Sequence, residues 1–529
     1  MGEYLNPGNE AFQSIVNDIY IDKTGLIAYI NSTINTPRKL THFSRPRRFG
    51  KSFAAKMLCA YYDRSCDSHA LFAKLKISKT DSFETYINKY DVIYLDMVRF
   101  VSNCTDKKNI VKDIKTRIIR ELKIEFPEIK DLEEPVLPYV LSAIVAKTNK
   151  KFIFIIDEWD ALFREAKDDF GLQEEYVQLL RGIFKGGPET DKTIAAAYMT
   201  GILPIKKYGT QSALTDFKEF TMTRPAKLAQ YVGFTESEVK KLCKKYHMDF
   251  ENMNAWYDGY SFNRIQHIYS PNSVINAVTN EEFGNYWTDS ESYDSLKNYI
   301  SMNYDGLRDA IISMLGGKSV RIRIGTFQND ITSFKSKDDV LTLLIHLGYL
   351  GYDAAEKKVF IPNKEVAEAF ADSVSGDKWE DVAELLQNSE DLLEATIRGD
   401  CSAVANALEK VHALNSSVLR YNNEASLSSA IMIAYYTARR FYKIIPELPD
   451  GKGFADLAFL PGKGVNKPAM IIELKYDKDA DTAIKQIHDN RYGGDLKKYF
   501  GNLLLVGINY DKDATGESRK KHSCVIEKV

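Results

Sequence analysis

The chain has 529 residues, with 71 basic and 73 acidic side chains and a formal net charge of −2. That length predicts three or four domains at roughly 100–200 residues each, and the balanced charge excludes a uniformly cationic nucleic-acid binder, so any such contact must be local. Hydrophobic residues at 44%, charged ones at 27%, and only 30 Gly and 15 Pro exclude a disordered or fibrous chain.

In chain order, the first strand–loop–helix unit stands at Phe43 to Ser52 (FSRPRRFGKS), followed by an apolar helix predicted from Phe53 to Tyr62. Gly50, Lys51 and Ser52 fit the second half of a phosphate-binding loop. There, backbone N–H groups at a helix N-terminus cradle phosphates, the Lys reaches the β/γ-phosphates and the Ser hydroxyl binds Mg²⁺. Arg45 replaces the first Gly of that pattern, and Arg47 and Arg48 add a basic cluster for nucleotide phosphates or a neighbouring subunit.

Short apolar runs at Asp91–Asp96, Lys151–Asp157 and Thr193–Thr200, separated by helical stretches, predict βαβ units around a buried parallel sheet up to about residue 225. The second run ends in Asp157 and Glu158. A buried strand delivering two carboxylates suits Mg²⁺ binding by Asp157 and water activation by Glu158. Thr200, at the tip of the next strand, is placed to sense the γ-phosphate.

From Leu228 to Asp372 the pattern is mostly helical. A helix at Asp338–Leu350 and a hairpin at Gly351–Ile361 are compatible with a winged-helix module. A charged helical stretch, Lys378 to Lys410, follows. Glu424 to Tyr442 then carries apolar residues in steps of three and four, one helix face. Strands are predicted at Gly453–Leu460, Ala469–Tyr476 and Leu503–Ile508, with a helix at Asp481–Arg491. This α-β-β-α-β order defines a second α/β unit.

That last unit holds a second constellation. Asp456 precedes Glu473 by 17 positions, enough for a hairpin that joins them, and Glu473 and Lys475 share one strand face. Acids and a Lys interrupting an apolar strand are costly when buried unless a ligand relieves them. The D…E-x-K set suits phosphodiester hydrolysis. Asp456 and Glu473 hold one or two Mg²⁺, with Mn²⁺ an alternative, and Lys475 stabilises developing charge. Glu424 is a further water-mediated ligand, and Gln486 and Tyr492 position the site or the nucleic-acid backbone. The basic runs Arg439–Arg440 and Arg519–His522 are candidates for phosphate contacts.

With both constellations in view, the chain resembles a bacterial family that joins an AAA-ATPase-like domain to a C-terminal PD-(D/E)XK nuclease-superfamily domain. The resemblance rests on Tyr20–Thr24 (YIDKT), Ser44–Ser52 and Ile155–Glu158. In the middle it rests on Gly233–Glu238, Trp256–Tyr260, Tyr269–Ser273, Tyr286–Trp287, Gly348–Leu350 and Ile361–Asn363. Towards the end it rests on Asn423–Glu424, Asp456, Glu473–Lys475 and Gln486–Ile487. The arginine-rich loop is typical of that family; Trp159 and the Gly453–Ala455 stretch depart from its usual residues. The pattern along the chain divides it into an α/β P-loop NTPase domain at 1–225, a helical, winged-helix-like region at 226–375 and an α/β nuclease-like domain at 376–529, led by a helical segment. The resemblance implies ATP binding and a nuclease-type fold; ATP hydrolysis, a Mg²⁺-dependent nuclease and nucleic acid as partner are expected from the two constellations themselves, with a homo-oligomer an open option. The alternative is a nucleotide-dependent switch or scaffold that binds without cutting.

The six cysteines show no C-x-x-C spacing and predict neither a zinc site nor a disulfide framework. The start lacks a secretory signal, and no apolar stretch approaches the ~20 residues of a membrane span, so a cytoplasmic protein is expected.

Overall fold

A computed structural model describes residues 2–529 apart from 105, 133–135, 167, 186, 206, 209–210, 213, 263–264, 288–292, 330–332, 375–378, 414–423, 451–452, 463, 491–500 and 512–520. The chain divides into two compact units. One comprises 1–290 and 322–363, the other 291–321 and 364–529.

The first unit is built on a five-stranded sheet of β1 (Leu40–Ser44), β2 (Asp91–Asp96), β3 (Phe152–Asp157), β4 (Ile194–Gly201) and β5 (Lys218–Phe220), in the order β2-β3-β4-β1-β5. All four pairings are parallel. β1, β3 and β4 are buried at every position; β3 and β4 accordingly read as apolar runs rather than alternating ones, whereas β1 buries Thr41, His42 and Ser44 as well. Helix α1 (Lys51–Tyr62) follows β1, and α2 (Ile110–Glu125) buries Ile110, Ile114, Ile118 and Leu122, spaced four apart, against the core. The sheet order β3-β4-β1 sets three loops side by side at the C-terminal ends of the strands, where α/β sheets bind ligands.

The middle segment is mostly helical, as its sequence predicts, and adds short strands that the sequence does not show. Three short strands, β6 (Phe234–Thr235), β7 (Tyr260–Phe262) and β8 (Ile265–Tyr269), form a small antiparallel sheet. β6 and β7 are too short to show a period of two, and β8 (IQHIY) does not alternate in burial. Gly259, at φ +116°, leads into β7. A Cβ there would lie 2.2 Å from the Pro362 carbonyl oxygen, so only glycine fits. The expected helix is present at Lys337–Leu347, and the hairpin after it is formed by β9 (Gly351–Asp353) and β10 (Lys358–Phe360).

The second unit carries a mixed sheet of β11 (Tyr442–Asp450), β12 (Gly453–Pro461), β13 (Ala469–Tyr476), β14 (Leu503–Tyr510) and β15 (His522–Lys528), in that order. Only the β13–β14 pair is parallel. Its two edges are absent from the sequence expectation. β11 contains Pro446 and Pro449, residues that an edge strand tolerates and a central one does not. The helix expected to reach Tyr442 ends at Ala434, and a 3-10 turn at Tyr436–Arg440 extends its apolar spacing up to β11. β15 is a half-exposed strand without a clean apolar run.

Helix α3 (Ala480–Asn490) packs on β14 through Gly507. A Cβ at Gly507 would lie 2.5 Å from the Ala480 carbonyl oxygen and 3.1 Å from Ala483 and Ile484. Gly507→Ala is therefore expected to push α3 off the sheet and to destabilise this unit by about 1–3 kcal/mol. Urea denaturation measures the loss, and unchanged stability would show that α3 yields without strain.

Among the described residues, no helix is long and apolar enough to cross a membrane.

Candidate functional site

The first site grows out of the loop after β1. Gly50 adopts φ +91° and caps α1, with open space around it. Lys51 is 3% exposed. Its Nζ donates to the carbonyls of Arg45 (3.0 Å) and Pro46 (2.8 Å) and lies 3.5 Å from Glu158 Oε1. The ammonium thus sits at the helix N-terminus, held by its own loop and one carboxylate.

Asp157, at the end of β3, is buried. Burial raises its pKa, while hydrogen bonds from Ser52 and Thr200 pull it down. The Thr200 hydroxyl donates to Asp157 Oδ1 at 2.5 Å and accepts from the Glu158 N–H at 3.1 Å. Thr200 is therefore engaged with the acid pair. Glu158 adopts φ +53°, an uncommon conformation for a side chain of its size. Burial alone would raise its pKa; Lys51, Arg164 and Arg47 outweigh that and hold it down to about 2. The Arg164 Nη2 to Glu158 Oε2 distance is 2.5 Å, and Arg164 Nη1 also donates to Asp160 at 2.9 Å. Ser52, Asp157, Glu158 and Thr200 thus come together around Lys51. Arg47 and Arg48 are exposed, and Arg48 Nη1 donates to Asn272 at 3.2 Å.

Sequence reasoning missed what grips this loop. Phe49 is fully buried edge-on to Tyr260 and Trp287. Its carbonyl accepts from the Gly233 N–H at 3.1 Å. Gly348, at φ +88°, makes room for Pro46 and Trp287, and its carbonyl accepts from the Tyr260 hydroxyl at 2.6 Å. The middle-segment signatures are thus the wall behind the phosphate loop. Arg45 is fully buried, its guanidinium 4.6 Å from the Phe43 ring and 4.7 Å from Phe262. It fills the place of the missing glycine by packing between rings. Arg164 and Asp160 were also missed; an i, i+4 pair after the Asp-Glu step was the available signal.

The second site lies on β12 and β13. Their ladder runs from Phe459–Met470 to Leu457–Ile472. At the next step the Asp456 carboxylate accepts the Leu474 N–H at 2.7 Å, standing in for a backbone carbonyl. Glu473 is 1% exposed and Lys475 4%. Lys475 Nζ donates to Glu473 Oε1 at 3.0 Å, and Gln486 on α3 donates to the same oxygen. Glu473 Oε2 is buried and has no hydrogen-bond partner. Burial, then the Asp456 carboxylate, raise the Glu473 pKa against the pull of Lys475. A buried orphaned carboxylate oxygen beside a second acid is a donor set that fits a hard cation.

Among the described residues, no group of three or more His, Cys, Asp or Glu forms a cation cage. Glu424 begins the helix Glu424–Ala434, but its side chain lies outside the described residues, as do Asn423, Tyr492, Arg519 and Lys520. Arg439 lies over the Tyr436 ring at 5.6 Å, and burial pulls its pKa down, whereas Arg440 is exposed.

Residues 8–210 match the family described as predicted AAA-ATPase, and residues 422–517 match the PD-(D/E)XK nuclease superfamily. No curated protein matches the chain. Among solved structures, C. elegans PCH-2 is similar over 65% of this chain and 72% of its own, at 12% identity and a TM-score of 0.23. The Aeropyrum pernix ORC2 protein, in its ADPNP–ADP complexes, is similar over 68% and 97%, at 9% identity and a TM-score of 0.24.

Proposed function

We propose that this chain, an AAA-ATPase-like domain joined to a PD-(D/E)XK nuclease-superfamily domain, binds and hydrolyses ATP and cuts nucleic-acid phosphodiesters in the cytoplasm, with the nucleotide state controlling cutting. In the first site, Gly50 and the α1 N-terminus receive phosphates, with Arg47 and Arg48 beside them. Lys51 leaves its loop carbonyls for the β/γ-phosphates, and Ser52 and Asp157 hold the ion that accompanies the nucleotide. Glu158 orients the attacking water, and Thr200 fixes the Asp157–Glu158 pair.

In the second site, Asp456 and Glu473 hold a divalent cation, Mg²⁺ or Mn²⁺. That ion, when bound, polarises the scissile phosphate and lowers the pKa of a bound water. Lys475 would neutralise charge developing on the phosphate, and Gln486 fixes the Glu473 carboxylate through Oε1, which would leave Oε2 to the ion. The observation that carries the reading is the buried, unpartnered Oε2 of Glu473 beside Asp456. An apolar strand has no use for such an oxygen without a ligand.

The test is a cleavage assay of the full chain on single- and double-stranded DNA and RNA, with Mg²⁺ or Mn²⁺ and with or without ATP. Metal-dependent cutting that changes with ATP is expected. ATP binding without cutting of any substrate would overturn the nuclease half and favour a nucleotide-dependent switch.

A further inference from the structure

Helix α2 presents a face that neither site uses. Lys112, Lys115, Arg120 and Lys123 recur in steps of three to five along it and, with Lys130, line an open cleft of about 660 Å³. No carboxylate lines the cleft among the described residues.

The acids of α2 are all engaged elsewhere. Asp113 pairs with Arg117 at 2.8 Å, and Glu125 with Arg64 at 3.1 Å. Glu121 accepts the N–H groups of Glu3, Tyr4 and Leu5. From the adjacent helix Phe170–Phe184, Glu175 comes within 3.6 Å of Lys115. Among the described residues, no other acid pairs with a lining cation.

The remaining lining is largely apolar. Ile119 sits at its base, while Ile124 is 74% exposed and Val136 51%. Tyr139, one helical turn beyond Val136, is 70% exposed. A solvated helix face ordinarily mixes signs at i, i+4, because like charges there repel. Here like charges are gathered around exposed apolar groups, and the exposed Tyr139 ring lies outside the lining, close in sequence to Val136. Cations take phosphates, and apolar and aromatic surfaces take unstacked bases.

We propose that this cleft binds single-stranded nucleic acid. The choice of partner rests on the nuclease reading above; the cleft itself rests on its own charge and exposure. It gives the chain a hold on its substrate apart from the cutting residues, consistent with a net charge that confines cationic surface to patches.

The test is fluorescence anisotropy of a labelled oligonucleotide with the full chain across a salt series. The wild type is compared with the triple variant Lys112→Glu, Arg120→Glu and Lys123→Glu, and with Tyr139→Ala. Charge reversal is expected to weaken binding at least tenfold and to reduce the slope of log K against log salt by about 2, at ~0.7 for each phosphate that is no longer neutralised. Tyr139→Ala is expected to weaken single-stranded binding by about fivefold or more, with little effect on duplex. ATP turnover, read in parallel, confirms that each variant is folded.

A triple variant that binds with wild-type affinity and slope overturns the cleft and leaves the nuclease reading standing. If sedimentation shows that the same variant loses self-association while oligonucleotide affinity is unchanged, the face belongs to a second copy and the proposal fails. A wild type that binds duplex but no single-stranded oligonucleotide overturns the cleft alone, and one that binds neither overturns both readings.

Discussion

Glu473→Gln is expected to abolish metal-dependent cleavage, by about 10³-fold or more, and at the same time to raise the melting temperature of the metal-free protein at neutral pH. The two effects have one cause. Glu473 is 1% exposed, shares Oε1 between Lys475 and Gln486, and leaves Oε2 without a partner. Burial and the Asp456 carboxylate raise its pKa above the ordinary Glu value. An acid whose pKa is raised on folding binds protons more tightly in the fold than in the unfolded chain. Its anionic form therefore costs stability above that raised pKa, and the cost vanishes as pH falls through it. Gln keeps the shape and the hydrogen bond towards Lys475 but carries no charge.

The gain in melting temperature should accordingly shrink as the melts are repeated at mildly acidic pH. Asp456→Asn should share the loss of cleavage, and calorimetry with Mn²⁺ should show no binding to either variant. Wild-type cleavage by Glu473→Gln would remove Glu473 from the site. A variant less stable than wild type at neutral pH would mean that the Lys475 pair outweighs burial and the Asp456 repulsion.

Much of this site was legible in the sequence, and the reason is specific. Asp456, Glu473 and Lys475 interrupt apolar strands whose bounds the apolar runs delimit, so their shared face follows from a period of two. Gln486 follows from the helix after them. What stayed hidden depends on neighbours distant in sequence. The grip on the phosphate loop comes from Tyr260, Trp287 and Gly348, about 200 to 300 positions after Phe49, and no local pattern announces it. The edge strands β11 and β15 escaped for a different reason. Edges need neither an unbroken apolar run nor every N–H, so Pro446 and Pro449 in one and the mixed residues of the other read as loop. β6 and β7 are shorter than the four residues an alternation needs, and β8 does not alternate.

Loss of the Lys51 ammonium is the other large effect expected. Lys51→Ala should weaken ATP binding by roughly 10²-fold or more, because two or more charge-assisted hydrogen bonds of about 1.5–3 kcal/mol each are removed, as measured with a fluorescent nucleotide. Unchanged affinity would exclude Lys51 as a phosphate ligand. The consequence for Glu158 is more informative. Without nucleotide, Lys51, Arg164 and Arg47 hold its pKa down to about 2, and a carboxylate so stabilised is a poor base. A phosphate that draws Lys51 away removes one of those cations, so the Glu158 pKa rises and its basicity with it. Under the proposed function, nucleotide binding would thus prepare the residue that orients the water.

Glu158→Gln should therefore bind ATP normally but hydrolyse it about 10²–10⁴-fold more slowly. Arg164→Gln tests the electrostatics directly. Removing a cation raises the pKa of the carboxylate beside it, so the acidic limb of the ATPase pH profile should move to higher pH. Arg164→Lys, which keeps the charge, should move it less. An acidic limb that stays in place in Arg164→Gln would mean that Glu158 does not titrate in the step that limits turnover, and the base would have to be sought elsewhere around Lys51.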